Sequence, residues 1–600
     1  MQELFFRGGG GRHSLNFIIL GFLGLTLLGG VFLYVEPSSV HAAGTPCSIT
    51  PVLTEANLNT CIAEAPTDNS EFTITIGADF NITTQKAITA GKNITLTSTS
   101  PASPATLTRN PGYAGRLFDV NITAPGVATL TLDSVILDGN NQAATLNNNL
   151  VRTNGTGDVA LNLTGNTILR NNNSMTNGAA VLIGATSSGS SLTVSGATKI
   201  TDNNTTVRSG GIYVIASPAT VVIKDQVEIS SNTAEGYGGG VYTGSNNILN
   251  ISGNVVISNN IANNGGGIFA DGSTATISNG AKITNNTSSS GGGGILITGA
   301  TGTFAISDTT ISGNEAATFG GGIFVSNGTL NIGSGTIISN NTAATAGGVR
   351  IQSTASAVNM YAGATIRGNY AVNNGGGVSV QSTFNLYGGE ISGNHAEGSE
   401  VVGSGGGGGV NVHGSAAVAK FNMFGGTISG NSAIVGGGVR MAEHANNTLD
   451  MTGGTISGNT AENGGGVWVG EGTANITSGT ISGNVATMDG GGVYTEDYGN
   501  LLVGVGAIFA GNRAAFASPT RNPADDAVYA ANILSINWTT PFTQGYNNYD
   551  INHDYAPEAP GTGTFGGQIS GAVASVLSIT LGSIAISVIF ISRKLLTKRH

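Results

Sequence analysis

The sequence predicts an all-β protein whose main body is a right-handed parallel β-helix, a solenoid with three short strands in each coil. Three observations predict this fold. The phrase Ile-x-x-Asn, or a close variant of it, recurs from Asn171 to Asn512 at spacings of 25 to 32 residues, with one spacing of 37. A glycine cluster and a short apolar alternation follow most copies. No copy contains a useful helical stretch, which excludes the repeat families that need a helix in each unit.

The composition agrees with a β protein rich in turns. Of the 600 residues 96 are glycine, and only 9% are charged, whereas 39% are hydrophobic. Disordered chains contain fewer hydrophobic residues, and the absence of a Gly-X-Y period excludes collagen. The net charge of −11 argues against a nucleic-acid partner, because such a partner requires a basic face.

Each repeat contains three strand-like runs separated by Gly or Asn corners. In the repeat that ends its first run at Asn232, a glycine cluster at 238–240 precedes the second run, and the third run spans 249–251. One residue of each strand is expected to face inward and to stack on its equivalent in the next coil, where β-branched side chains pack well. The predicted inward column comprises Ile229, Ile257, Ile283, Ile311, Ile338 and Ile366.

The asparagine that ends each first run is predicted to form a corner. Asparagine tolerates the left-handed conformation and hydrogen-bonds locally, and stacked asparagines pair their amides in a ladder. The glycine clusters are expected to supply positive φ at the next corner. The alternative is that these asparagines bind a ligand or carry glycans, since Asn-x-Thr sequons occur. The predicted ladder comprises Asn232, Asn260, Asn286, Asn314, Asn341, Asn369, Asn394, Asn431, Asn459 and Asn484.

The repeat wording resembles that of chlamydial-type polymorphic outer-membrane proteins, whose repeats carry Phe-x-x-Asn and Gly-Gly-Ala-(Ile/Leu/Val). The resemblance covers roughly residues 165–515 and implies a surface-displayed β-helix with a role in adhesion. This chain has Ile in place of most of the Phe residues. It also lacks the C-terminal barrel pattern of that family, so secretion through its own barrel is not implied.

The N-terminal region predicts export and a cap for the first coil. Residues 1–42 combine a basic stretch, a 19-residue apolar run and a small-residue cleavage pattern, and so read as a signal peptide; the alternative is an uncleaved anchor. Export places Cys47 and Cys61 in an oxidising compartment, where they are expected to form a disulfide; two unpaired buried cysteines are the alternative. Within the predicted cap, residues 43–70, a short helix is expected from Leu53 to Ala65 with Leu53, Leu58, Cys61 and Ile62 on one side.

The β-helix is predicted to extend over residues 71–512, with regular repeats from about 165. The C-terminal region then predicts a second cap at 513–555, a Pro/Gly linker at 556–568, a transmembrane helix at 569–591 and a basic cytoplasmic tail at 592–600. The cap contains Trp538, Phe542, Tyr546 and Tyr549, for which an aromatic ligand-binding patch is the alternative.

The linker carries a pentapeptide that resembles the sorting signal of sortase substrates. This pentapeptide comprises Ala559, Pro560, Gly561, Thr562 and Gly563. The resemblance implies cleavage between Thr562 and Gly563 and transfer of the Thr carbonyl to a cell-wall amine. Ala559 stands where Leu is usual in that family. The alternative is a plain membrane anchor without cleavage.

The search for catalytic chemistry finds no matched carboxylates in neighbouring repeats. The pairs Asp271 with Asp308 and Asp450 with Asp489 are out of register, and no acid or base partner for His413 lies at the matching place in adjacent coils. We therefore expect no catalytic residues, metal or cofactor. The predicted function is that of a bacterial surface protein, adhesin-like or structural, which is anchored in the envelope and has a glycan or a host or neighbouring cell surface as partner. The alternative is an envelope-tethered polysaccharide lyase or hydrolase of the β-helix type.

Overall fold

The computed structural model describes residues 45–552, except 142–147, 188, 217, 300–301, 399–404, 415–417, 443, 516–536 and 540–548. The predicted signal peptide, linker, transmembrane helix and basic tail lie outside the described residues, as do Phe542 and Tyr546 of the predicted C-terminal cap. Within the described part of the chain, no helix is long and apolar enough to cross a membrane.

The described residues form an all-β right-handed parallel solenoid. Each regular coil contributes four strand segments, which stack on their equivalents in the next coil as four rows. The first and second rows belong to one large sheet, and the third and fourth rows form separate sheets. All of the pairings between coils are parallel, as in Ile229 opposite Ile257 and Val241 opposite Ile268.

The first two rows form the broad face of the solenoid. The first row comprises Glu71–Ile76, Asn93–Ser98, Val127–Asp133, Asp158–Thr164, Ser191–Val194, Thr220–Asp225, Ile248–Gly253, Thr274–Ser278, Thr303–Ile306, Thr329–Ile332, Ala357–Met360, Thr383–Leu386, Lys420–Met423 and Thr448–Met451. The second row comprises Phe80–Ile82, Thr106–Arg109, Ile136–Asp138, Ile168–Arg170, Lys199–Thr201, Glu228–Ser230, Val256–Ser258, Lys282–Thr284, Thr310–Ser312, Ile337–Ser339, Thr365–Arg367, Glu390–Ser392, Thr427–Ser429 and Thr455–Ser457. Near the C-terminal end, Thr473–Ser482 and Leu501–Ala510 each span both rows.

The remaining two rows close each coil. The third row comprises Asn173–Ser174, Asn204–Thr205, Thr233–Ala234, Ile261–Ala262, Thr287–Ser288, Glu315–Phe319, Thr342–Thr345, Tyr370–Asn374, His395–Ala396, Thr460–Ala461, Val485–Ala486 and Arg513–Ala514. The fourth row comprises Lys86–Ile88, Phe118–Ile122, Val151–Gly155, Val181–Ile183, Ile212–Val214, Val241–Thr243, Ile268–Asp271, Ile295–Thr298, Ile323–Val325, Val349–Ile351, Val378–Val380, Val410–Val412, Val439–Met441, Val467–Val469 and Val493–Thr495.

The sequence predicts three strands per coil, and this number is wrong for the regular coils. The additional strand is the third row, in which most members contain two residues and directly follow the corner asparagine, as Thr233–Ala234 follows Asn232. Two residues are too few to show an alternation of apolar and polar side chains, so the sequence pattern does not reveal this row.

The core is a column of apolar side chains inside the coils. The six predicted inward isoleucines pair in register from Ile229 to Ile366, and each is at most 1% exposed. On the same strand as Ile311, Ser312 points away from this core and is partly exposed. The fourth row alternates in the same way, since Val241 and Thr243 are fully buried on the core side of Tyr242.

A helix and a disulfide cover the first coil. The helix spans Glu55–Glu64, and the Thr54 side chain caps it by accepting a hydrogen bond from the backbone N–H of Asn57 at 3.2 Å. Cys47 and Cys61 form a disulfide with their Cα atoms 5.4 Å apart. Leu58, Cys61 and Ile62 are buried on one side of the helix.

The prediction for Leu53 is wrong, because this residue precedes the Thr54 cap and its side chain is 51% exposed.

At the other end of the solenoid, the described parts of the predicted cap continue the β pairing. Asn537–Thr539 pairs in parallel with 508–510, and Ile551 bridges to Val493.

Candidate functional site

The corner asparagines form a continuous buried ladder. In each step the backbone N–H and the side-chain Nδ2 of one asparagine donate to Oδ1 of the next, and the Nδ2–Oδ1 distances are 2.9 or 3.0 Å. The second hydrogen on Nδ2 goes to a backbone carbonyl, as from Asn286 to Ile257 at 2.9 Å. The ladder comprises Asn203, Asn232, Asn260, Asn286, Asn314, Asn341, Asn369, Asn394, Asn431, Asn459, Asn484 and Asn512.

These amides are structural and are not available to a ligand or a glycan. Every ladder member is at most 3% exposed, and both hydrogens on each Nδ2 are used within the fold. A buried amide that keeps all of its hydrogen bonds adds to stability, whereas an unpaired one would cost free energy. The alternative role for the corner asparagines therefore does not fit the geometry.

Two details of the predicted corner are wrong. The residue with positive φ is the one before each ladder asparagine, such as Ser231 at 56° and Gly313 at 66°. It turns the chain from the second row into the third row, and the asparagine that follows directs its amide along the coil axis. In the first regular coil the equivalent of Asn203 is Asn172, whose backbone N–H donates to Asn203 Oδ1 at 3.3 Å, and Asn171 is the residue with positive φ.

The glycines within each cluster have different roles. The first glycine supplies the positive φ, as at Gly238 with 64°. The second leaves room for the next coil, because a Cβ on Gly239 would lie 2.5 Å from the carbonyl oxygen of Gly266. The cluster thus allows the backbone to turn and to pack closely, and it carries no functional side chain.

A carboxylate terminates the C-terminal end of the asparagine ladder, where Asn512 Nδ2 donates to the buried side chain of Asp550 at 2.8 Å. At the N-terminal end, Asn172 donates to Asn203 Oδ1 through its backbone N–H only, and its own Oδ1 accepts from the buried guanidinium of Arg109. The amides from Asn203 to Asn512 all point the same way, so their dipoles add. An anion at the nitrogen end stabilises this arrangement, as charges do at helix ends.

Two of the acids named in the sequence analysis, Asp271 and Asp450, accept hydrogen bonds from side chains of neighbouring coils. Asp271 accepts from the Tyr242 hydroxyl at 3.1 Å and from the Thr298 hydroxyl at 2.9 Å, and Asp450 accepts from Asn475 at 2.7 Å. Across the described residues, no group of three or more His, Cys, Asp or Glu side chains is placed to hold a metal ion.

His413 has partners that the sequence analysis did not predict. Its Nε2 lies 2.8 Å from Ser379 Oγ and also contacts the guanidinium of Arg350, which donates to the same hydroxyl at 2.6 Å. Burial, together with the positive charges of Arg350 and Arg440, lowers the pKa of His413 to about 3, so the imidazole is neutral at physiological pH. Both partners, Ser379 and Arg350, lie on the outward side of the fourth row. The spacing of the repeats does not show that His413 lies next to them.

This cluster is shielded from solvent. Ser379 is 0% exposed and Arg350 is 3% exposed. Burial also lowers the pKa of Arg350 to about 10, so its guanidinium stays charged. The His413–Ser379 pair has the composition of a nucleophile and a base, but a substrate cannot reach the hydroxyl in this arrangement.

An exposed aromatic strip lies on the broad face and is formed by Tyr361, Tyr387 and Phe424. Each ring directly follows a first-row strand in one of three successive coils. The ring centroids of Tyr361 and Tyr387 are 5.4 Å apart, and those of Tyr387 and Phe424 are 5.0 Å apart, with interplanar angles of 11° and 9°. Their side chains are 41%, 48% and 47% exposed, respectively.

A column of amides runs beside the aromatic strip. Asn359, Asn385 and Asn422 each lie two residues before one of the rings, so amide and ring project from the same side of the strand. Asn359 donates to Asn331 at 2.8 Å, Asn385 to Asn359 at 2.8 Å, and Asn422 to Asn385 at 2.7 Å. The signal in the sequence is the recurring phrase Asn-x-aromatic, which the sequence analysis missed.

The predicted sortase-like pentapeptide, residues 559–563, lies outside the described residues.

Comparison with known proteins gives one finding. A family model described as a right handed beta helix region matches residues 249–424. No curated protein and no solved structure matches the chain. The matched segment contains the whole aromatic strip and supports a right-handed β-helix over these coils.

Proposed function

We propose that this protein is a bacterial cell-surface β-helix that is anchored in the envelope by its C-terminus and binds a ligand in the manner of an adhesin. The observation that carries the proposal is the aromatic strip. Three stacked rings with 41–48% exposure form a contiguous aromatic patch on the broad face, and contiguous apolar surfaces mark interaction sites.

The ends of the chain support the proposed location. The basic and apolar segments of residues 1–42 favour export. The 23-residue apolar run 569–591 with the basic residues after it favours a membrane anchor, with the solenoid outside the cell. The pentapeptide 559–563 favours transfer to the cell wall by a sortase, and the repeat wording favours a relationship to polymorphic outer-membrane proteins.

The experiment is an adhesion assay with cells that display the full chain. A strip variant carries Tyr361→Ala, Tyr387→Ala and Phe424→Ala together. A matched control variant carries Ile261→Ala, Val372→Ala and Val485→Ala, three apolar residues that are 49%, 45% and 37% exposed on the third row. We expect the strip variant to lose attachment to target surfaces and the control to keep it. Equal attachment by both variants would refute the proposal.

A polysaccharide-active enzyme is the second candidate function. The observation that favours it is the buried contact among His413, Ser379 and Arg350. Together these groups comprise a hydroxyl, a base and a cation. The test is release of reducing ends or unsaturated products from acidic and neutral polysaccharides. Activity that is abolished by His413→Ala and retained by the strip variant would favour the enzyme over the adhesin.

A further inference from the structure

We infer that the aromatic strip and the amide column beside it form a binding site for an extended, uncharged oligosaccharide that lies along the coil axis with one sugar ring per coil. This inference rests on the proposed function and names the ligand class for its site. Five features of the surface support it: ring geometry, free amide groups, local charge, the limits of the strip and its exposure.

The three rings repeat at a regular interval and stay accessible. Their planes are nearly parallel, their centroids are 5.4 and 5.0 Å apart, and 41–48% of each side chain is exposed. The C–H groups of a sugar ring pack against the exposed parts of aromatic rings. The step from ring to ring is also close to the length of one sugar residue in an extended chain.

The amide column supplies polar groups at the same interval. Each of Asn359, Asn385 and Asn422 uses one N–H to reach the asparagine of the preceding coil. Each Nδ2 carries two hydrogens, so one N–H per coil remains outside the column. These amides are half-buried and held in fixed positions, which lowers the entropy cost of hydrogen-bonding a sugar hydroxyl.

The local charge favours a neutral ligand. Lys420 lies two residues before Asn422 on the same first-row strand, and Glu390 begins the second-row strand that follows Tyr387. In the next coil, Asp450 lies opposite Asn422. One cation and two anions therefore lie near the site. An acidic polysaccharide would require repeated cations along its length, and the amide column and aromatic strip contain none.

The site is confined to three coils. The residue equivalent to Tyr361 in the preceding coil is Gly333, and the residue equivalent to Phe424 in the following coil is Thr452, as their backbone hydrogen bonds show. Gly333 has no side chain that could stack on Tyr361. The glycine pairs after Tyr387 and Phe424, at 388–389 and 425–426, also place no side chain beside these rings. The aromatic strip therefore begins at Tyr361 and ends at Phe424.

A purely structural role explains the strip less well. The fold contains a second aromatic stack in the fourth row, in which Tyr213, Tyr242 and Phe269 lie 4.7 and 5.3 Å apart. Those rings are between 1% and 7% exposed, as expected for rings that stabilise neighbouring strands. The strip rings keep more than 40% of their surface in water. Burial therefore stabilises the fold less through these rings, and their exposure leaves them accessible to a ligand.

The test measures binding of the purified full chain to cellohexaose, chitohexaose and mannohexaose, with oligogalacturonate as the charged comparison. Isothermal titration calorimetry gives the dissociation constants for the wild type, for Tyr387→Ala and for Asn385→Ala. Tyr370→Ala is the matched control, because its ring is stacked on His395 in the third row. We expect Tyr387→Ala to raise the dissociation constant of a neutral hexasaccharide roughly tenfold, the effect of losing one aromatic contact.

We also expect Asn385→Ala to weaken binding severalfold and Tyr370→Ala to leave it unchanged. Tighter binding of oligogalacturonate, or equal loss in Tyr370→Ala and Tyr387→Ala, would overturn the inference. If all four oligosaccharides fail to bind while displayed cells still attach through the strip, the ligand class is wrong and the proposed function stands. If attachment does not depend on the strip either, both fail.

Discussion

At the scale of single residues, the direction of each side chain decides its contribution to stability. Ile311 is 0% exposed and pairs with Ile283 and Ile338 in the inward column. Ser312, the next residue, points outward and is partly exposed. A charge introduced at position 311 would therefore lie in the apolar core, whereas a charge at position 312 would face water.

We predict that Ile311→Asp destabilises the solenoid by several kcal/mol, because an unpaired carboxylate is placed in an apolar interior. Ser312→Asp should change the free energy of unfolding by only about 0.5 kcal/mol, as is usual for surface substitutions. Denaturant titrations of both variants test this. Similar destabilisation by the two substitutions would show that the inward and outward assignment is wrong.

Sequence spacing predicts the inward isoleucines because every coil repeats the same offset from its asparagine. It does not predict the partners of His413, because Arg350 and Ser379 are 63 and 34 residues away and lie in an outward column with no repeated residue type. The same limit applies to the aromatic strip. The rings occupy equivalent positions although their spacings are 26 and 37 residues, and the difference arises from extra residues before Gly405.

At the scale of elements, the asparagine ladder behaves as one unit with two ends. It continues across these extra residues without a break, since Asn394 Nδ2 donates to Asn431 Oδ1 at 3.0 Å. The helix Glu55–Glu64 covers the first coil, and at the C-terminal end Ile551 bridges to Val493. The sequence predicts both regions as caps, but it does not identify Asp550 as the group that terminates the ladder.

We predict that Asp550→Ala loosens the last coils, because Asn512 Nδ2 loses a buried acceptor at a cost of about 1–3 kcal/mol. Asp550→Asn keeps an acceptor oxygen and should cost less. Amide hydrogen exchange at 484–512 measures the effect, and exchange at 257–286 serves as the internal control. Equal protection of 484–512 in the wild type and in Asp550→Ala would contradict this role.

The cap helix carries a buried ion pair that makes its stability depend on pH. Burial opposes ionisation of Glu55, but hydrogen bonds from Lys86 and from Thr83 and Thr84 outweigh it and lower the pKa of Glu55 from 4.5 to about 2. A carboxylate with a lowered pKa stabilises the fold above its unfolded value, and this contribution is lost as the pH falls toward the folded value. The sensitive window therefore lies between about pH 4.5 and pH 2.

We predict that protection of the cap helix in the wild type falls across this window, as measured by hydrogen exchange at 55–64. Glu55→Gln should lower protection at pH 7, because it leaves the buried ammonium of Lys86, 1% exposed, without a counter-charge. The same variant should show a flatter pH dependence between pH 4.5 and pH 2. A wild type whose cap is equally protected at both limits would refute the role of Glu55.

At the scale of the whole molecule, the solenoid is a one-dimensional stack in which each coil contacts its neighbours, so stability is shared along it. Repetition makes the fold predictable from the sequence, because the same corner and core residues recur in each coil. Function is harder to predict, since it depends on the few coils that depart from the repeat. Tyr361, Tyr387 and Phe424 are such departures, and their alignment becomes apparent only when the register of the coils is known.

Anchoring gives a prediction at this scale. If a sortase processes the pentapeptide, the wall-linked protein should end at Thr562, because cleavage separates Thr562 from Gly563 before the amine is acylated. Mass spectrometry of the C-terminal peptide released from the cell wall measures this end. Recovery of only the intact chain from the membrane fraction would refute processing and leave the apolar run 569–591 as a simple anchor.

The central claim is that this β-helix presents the aromatic strip to a ligand while it buries the stack of Tyr213, Tyr242 and Phe269. Hydroxyl-radical footprinting of the full chain tests this claim most directly. We predict strong labelling of Tyr361, Tyr387 and Phe424 in the free protein and weak labelling of Tyr213 and Tyr242, which are 1% and 6% exposed. Bound ligand should protect the three strip residues. Equal labelling of the two stacks, or protection elsewhere with the strip unchanged, would contradict the claim.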